Sequence, residues 1–128
     1  MTKLLTGRRI LVVEDEMLLM MNIEAMLQDL GCTAISPAAN VADAFALLEE
    51  RGFDAAMLDV NLDGETSYSV ADALVARGTP FLFATGYGDL GERTDLLGRP
   101  MLRKPYLASE LAAAFADLLP AKPLGAAA

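Results

Sequence analysis

The stretch Ala55 to Gly64, AAMLDVNLDG, constrains the chain more than any other. Its apolar run has no alternation, so neither face can be left to water, and it fits a strand covered on both sides in a parallel sheet. The run ends at Asp59 and breaks into a turn. In open α/β sheets ligands bind in the crevice beyond the carboxyl ends of the strands, which makes Asp59 a candidate for chemistry. Taken alone, an aspartate there more often opens a turn or caps a helix, so its meaning depends on what the other strands deliver.

Three further segments share that form. Arg8 to Asp15, RRILVVED, runs through aliphatic residues into acids, with Glu14 expected still in the strand. Pro80 to Thr85, PFLFAT, ends in a hydroxyl, and Arg99 to Lys104, RPMLRK, ends in an ammonium ahead of Pro105. Cys32 to Ser36, CTAIS, is a weaker strand closed by Pro37, which suits an edge. Between the strands, apolar residues recur at three and four. Leu19, Ile23, Met26, Leu27 and Leu30 form one helix face, stopped by Gly31. Val41, Ala44, Phe45 and Leu48 form another, with Asn40 as N-cap and Gly52 as stop. Thr66 to Arg77 is a third helix stopped by Gly78, and Leu107, Leu111, Phe115 and Leu118 lie on the last. Gly86 to Gly98, GYGDLGERTDLLG, should supply a helix by alternation, but its glycines predict a weak or mobile one, each interior Gly costing about 1 kcal/mol.

Strands alternating with helices define an α/β domain with a parallel sheet. The expected fold is flavodoxin-like, a doubly wound (βα)5 sheet of strand order 2-1-3-4-5, over residues 7–119. Residues 120–128, PAKPLGAAA, read as a flexible tail or the start of a linker. No Gly-rich fingerprint follows the first strand, which disfavours dinucleotide and P-loop nucleotide binding.

Composition excludes several functions. A net charge of -8 with scattered basic residues disfavours nucleic-acid binding. No run approaches a membrane span, and no secretory signal is apparent at Met1 to Arg9. The absence of His removes imidazole acid/base and metal chemistry from the chain, so any phosphohistidine must come from another protein. Cys32 is the single cysteine, so it forms no internal disulfide, and it reads as a buried, inert thiol compatible with a reducing cytoplasm.

In the 2-1-3-4-5 order, Glu14, Asp15, Asp59, Thr85 and Lys104 gather around one crevice with Asp59 in its middle. Three close carboxylates repel, so either a proton is trapped among them or a cation is bound. Oxygen donors of this kind suit Mg²⁺. With charge so balanced, Asp59 can attack a phosphoryl group without a base, while Lys104 and the Thr85 hydroxyl meet the transferring oxygens.

These residues resemble the response-regulator receiver domain of two-component signalling. The resemblance rests on an acid pair after strand one, a central Asp, a Thr after strand four and a Lys-Pro pair after strand five. It implies that Glu14, Asp15, Asp59 and the Asn61 carbonyl hold Mg²⁺, that Asp59 is phosphorylated, that Thr85 and Lys104 contact the phosphoryl group, and that Lys104-Pro105 is a cis peptide. Receivers usually carry an aromatic residue three positions before the Lys, where this chain has Met101. The FATGY sequence at Phe83 to Tyr87 is similar to a receiver subgroup of alphaproteobacterial single-domain regulators in which that departure is usual. Thr85, Tyr87 and Met101 are therefore the expected switch residues, with ordering of Gly86 to Gly98 as the readout.

The implied partners are a histidine kinase or histidine phosphotransfer protein and a downstream protein target, in the cytoplasm. Neither nucleic acid nor membrane is an expected partner, and self-association is expected to be weak at most. Such a protein is not a turnover enzyme, and nothing past residue 119 is expected to form an output domain. Two other readings stand beside this one. A receiver fold can sequester a partner without phosphorylation, and a haloacid-dehalogenase-like phosphatase also uses an Asp nucleophile. The second of these needs another Asp where this chain has Asn61.

Overall fold

The computed structural model describes residues 3–86 and 100–119. Within them lie β1 (Arg9–Val13), α1 (Met17–Asp29), β2 (Ala34–Ala38), α2 (Val41–Glu50), β3 (Ala55–Asp59), β4 (Asn61–Leu62), β5 (Glu65–Thr66), α3 (Tyr68–Arg77), β6 (Phe81–Thr85), β7 (Met101–Arg103) and α4 (Ala108–Leu118). The main sheet is parallel, in the order β2-β1-β3-β6-β7. Setting aside the small β4–β5 hairpin, this is the predicted 2-1-3-4-5 order. The predicted weak helix over Gly86 to Gly98 and the tail at 120–128 fall outside the described residues, except for Gly86 itself.

Parity within the strands divides the interior into two cores. Leu11, Val13, Ala56, Leu58, Phe81 and Phe83 face α2 and α3, whereas Ile10, Val12, Ala55, Met57, Leu82 and Ala84 face α1 and α4. Both sets are buried, which is why these strands show no polar alternation. Leu5, fully buried, extends the second core beyond the amino end of β1, with its N–H donating to the Leu30 carbonyl. No helix of the described residues is long and apolar enough to cross a membrane.

Three boundaries differ from expectation. β2 starts at Ala34 and runs through Pro37 to Ala38; an edge strand tolerates proline because one side of its backbone has no ladder to donate to. Glu14 lies just past β1 rather than in it, although its N–H still donates to the Ala38 carbonyl at 3.0 Å. Thr66 belongs to the hairpin, and α3 begins only at Tyr68. The hairpin has a local cause: Asp63 (φ 48°) and Gly64 (φ 94°) both take positive φ, as a two-residue type I′ turn requires.

Candidate functional site

Each polar side chain is placed by the end of a ladder. The Glu14 N–H bond to Ala38 fixes the residue after β1, and its carboxylate turns inward, with a side chain only 2% exposed. There Oε2 accepts from the Glu16 N–H at 3.2 Å and Oε1 from Lys104 Nζ at 2.9 Å. Asp59 closes the central strand, and its Oδ2 accepts from the same Nζ at 3.1 Å. Lys104 is aimed by its own N–H, which donates to the Thr85 carbonyl at 2.9 Å and prolongs the β6–β7 ladder by one residue. Glu14, Asp15 and Asp59 each offer a carboxylate oxygen within 4.8 Å of the others. A cleft of about 380 Å³ opens over them, lined by Asp15, Glu16, Leu19, Asp59, Asn61, Gly86 and Lys104.

The electrostatics follow from that packing. Burial alone would lower the Lys104 pKa, but the hydrogen bond to Glu14 and the charges of Asp59 and Glu14 together lift it above its ordinary value. Three clustered carboxylates, of which only Glu14 and Asp59 pair with the Lys104 ammonium among the described residues, leave a surplus of negative charge. Hard oxygen donors at this spacing fit a divalent cation such as Mg²⁺, which takes one or two protein carboxylates together with carbonyl, water or phosphate oxygens. The donor set therefore suits the metal that the fold implies.

The remaining sequence-predicted residues lie around this centre. Thr85, at the end of β6, is 1% exposed. Asn61 is exposed at the start of the hairpin and lines the cleft. The Lys104-Pro105 peptide bond is cis. Met101 pairs with Phe83 across β6–β7 and packs against the α2/α3 core, so it stands beside the β6 end without an aromatic ring. Tyr87 lies outside the described residues.

Two neighbours were not foreseen. Tyr106 follows the cis bond and lines an apolar recess with Glu14, Leu19, Ile23 and Lys104. Burial pushes its phenol up to about 12; Lys104 pulls the other way, and Glu14 and Asp59 add to the rise. Glu65, on the return strand of the hairpin, accepts from the Val41 N–H at 3.1 Å and so ties the hairpin to the first turn of α2. The Asp-Gly pair at Asp63-Gly64 was the clue that could have revealed this hairpin.

A doubly wound parallel sheet in this strand order, with the acid and lysine set at its carboxyl end, is a CheY-like flavodoxin fold. The chain belongs to the response regulator receiver domain family, whose model matches residues 10–116. Among solved structures it is similar to SdrG from Sphingomonas melonis Fr1, with 46% identity, a TM-score of 0.77, and coverage of 87% of this chain and 95% of that one. The BeF3-activated conformation of SdrG from Pseudomonas melonis Fr1 matches with 45% identity and a TM-score of 0.76, over 94% of this chain and 100% of that one. The receiver domain of the sensor histidine kinase PA1611 from Pseudomonas aeruginosa PAO1, solved with a magnesium ion coordinated in its active-site cleft, is 28% identical with a TM-score of 0.76, over 88% and 98% of the two chains. No curated protein sequence matches.

Proposed function

We propose that the chain is a phosphoacceptor in a phosphorelay, with Asp59 as the residue that carries the phosphoryl group. The observation that carries this reading is the Lys104 ammonium bridging Glu14 and Asp59 inside a three-carboxylate cluster at the end of the central strand. Asp59 needs no base: one carboxylate oxygen forms the new O–P bond as the P–N bond of a partner's phosphohistidine breaks, and the imidazole leaves with the electron pair. Lys104 is placed to meet a phosphoryl oxygen, and Thr85 stands at the end of the adjoining strand. Glu14, Asp15, Asp59 and the Asn61 carbonyl would hold Mg²⁺, which when bound offsets negative charge on the transferring oxygens.

The donor is a histidine kinase or histidine phosphotransfer protein, since the chain has no His of its own. The setting is cytoplasmic, and the output is a change in protein binding rather than substrate turnover. Thr85 senses the phosphoryl group, with Met101 in place of the usual aromatic partner. The FATGY sequence at Phe83 to Tyr87 and Met101 favour membership of the FATGY subgroup, and the 45% identity with SdrG, solved in a BeF3-activated conformation, supports a receiver that responds to phosphorylation.

Incubation with Mg²⁺ and acetyl phosphate, followed by intact mass measurement, tests the assignment. Wild type gains one phosphoryl group and Asp59→Ala gains none. A gain on both proteins, or on neither, removes Asp59 from the role. A phosphorylation-independent sequestering module would bind its target equally well with and without Mg²⁺ and acetyl phosphate.

A further inference from the structure

Helices α2 and α3 both start at the carboxyl end of the sheet, but their first turns differ. At α2, Asn40 has the extended backbone of a cap (φ -157°, ψ 176°), and its side-chain oxygen accepts from the Asp43 N–H at 2.8 Å. At α3, Ser67 holds the same position and is a residue type well suited to it, yet its backbone (φ -87°, ψ 12°) is not extended and its side chain caps nothing. We propose that Ser67 is a latent cap: loading of the acid cleft with Mg²⁺ and a phosphoryl group frees it to cap α3, so that the first turn of this helix reports the state of Asp59. The latent cap rests on the phosphoacceptor reading of that cleft.

Ser67 is 0% exposed, and its hydroxyl has no hydrogen-bond partner among the described residues, so it has lost its hydration without a return. Three residues on, nothing among the described residues outside the helix accepts from the Val70 N–H, and a third helical residue has no carbonyl within its own helix to donate to. An unused acceptor and an unused donor therefore stand at the spacing that Asn40 and Asp43 use. The Ser67 N–H holds them apart by donating to the Val60 carbonyl at 3.0 Å. On its other side the Ser67 carbonyl accepts from the Ala71 N–H at 3.0 Å, so the helix itself is already formed and needs no rearrangement.

The chain itself links this turn to the cleft. Val60 lies between Asp59, the phosphoacceptor, and Asn61, whose carbonyl would hold Mg²⁺, and its N–H donates to the Ala84 carbonyl at 3.3 Å, beside Thr85. A ligand held by both neighbours reorients the Val60–Asn61 peptide and draws the Val60 carbonyl away from the Ser67 N–H. With the helix fixed, turning Ser67 about ψ toward the value seen at Asn40 swings its hydroxyl onto the Val70 N–H and shifts Glu65 and Thr66 of the hairpin. One hydrogen bond is exchanged for another and a buried orphan is satisfied, so the two states lie close enough in energy for a ligand to choose between them.

The test follows the amide spectrum of the ¹⁵N-labelled full chain as beryllofluoride, a phosphoryl mimic, is added in saturating Mg²⁺. The Val70 amide proton should move downfield in wild type as its hydrogen bond forms, and should stay in place in Ser67→Ala. Ser67→Ala should also raise the urea midpoint in metal-free buffer, since it removes the orphan hydroxyl, and should weaken beryllofluoride binding about fivefold, the equivalent of one lost N-cap. A shift at Asp59 with Val70 unmoved in wild type overturns the latent cap alone, as does an equal Val70 shift, a lowered metal-free midpoint or full beryllofluoride affinity in Ser67→Ala. The absence of any shift at Asp59 in wild type removes the phosphoacceptor reading and the latent cap with it.

Discussion

At the carboxyl end of β1 and β3, three carboxylates cluster and two of them, Glu14 and Asp59, hold one ammonium, while the innermost, Glu14, is almost wholly removed from water. At the amino end of the same strands, Asp54 is held by a single backbone N–H while Arg9 and Arg51 remain at the surface. Both ends belong to one sheet with the same buried apolar faces, so the difference does not come from the fold's hydrophobic design. The carboxyl end concentrates unlike charges in a low-dielectric crevice, where removing one partner strands the others. The amino end leaves its charges in water, where each is nearly independent. A site able to respond to a new charge belongs at the first kind of end, because only there does a change of charge propagate to neighbours.

The contrast can be broken most directly by deleting one partner at each end. Lys104→Ala leaves the Glu14 carboxylate, among the described residues, with only the Glu16 N–H and should cost about 3 kcal/mol in metal-free buffer, with part of the loss recovered when Mg²⁺ is added. Asp54→Ala removes one acceptor from an exposed N–H and should cost about 1 kcal/mol with no response to Mg²⁺. Urea midpoints for the two variants, with and without Mg²⁺, decide the matter; equal losses would show that the two ends do not differ.

A smaller effect sharpens the account of the acid cleft. Glu65→Ala removes the acceptor for the Val41 N–H and should cost about 1 kcal/mol, like the loss of an N-cap. Because the hairpin also carries Asn61, the same variant should weaken Mg²⁺ binding by about tenfold, as loss of an outer-shell contact does. Glu65→Gln, which keeps an acceptor oxygen, should restore both. Calorimetric titration that finds full Mg²⁺ affinity in Glu65→Ala would free the hairpin from this role.

The smallest effects lie in alkaline solution and separate the ends along the pH axis. Cys32, at the amino end, is raised above its ordinary 9.0, chiefly by burial, so the unfolded chain ionises first and stability begins to fall as pH rises past 9. Tyr106, at the carboxyl end, has the same sign between its ordinary 10.0 and about 12. Lys104 is stabilising in full below 10.5, and its contribution fades as pH rises through its higher folded value. In metal-free buffer, Cys32→Ala should therefore flatten the first part of the alkaline decline and Tyr106→Phe the later part. Stability followed by circular dichroism from pH 8 to 12 checks both.

Much of the carboxyl end was legible because its residues sit where apolar runs stop. Glu14, Asp15, Asp59, Thr85 and Lys104 could be assigned to one crevice once a strand order was assumed, and Asn40 was readable as a cap, which it is, accepting from the Asp43 N–H at 2.8 Å. Glu65 escaped notice because its partner lies 24 residues away, and the run from Thr66 carries helical spacing that masks a two-residue strand. The burial of Leu5 was equally hidden, since nothing local distinguishes it from the exposed Leu4.

By itself the sequence determined the five strands of the main sheet, the four helices of the described residues, their parallel arrangement and the kinds of charge delivered to one edge, because burial on both faces dictates unbroken apolar runs and the breaks in those runs are local. Only the tertiary structure decided that one ammonium bridges Glu14 and Asp59 and that a hairpin is tied to α2. Those depend on distances between residues far apart in the chain, which follow from how the strands register and pack and from no property of any single segment.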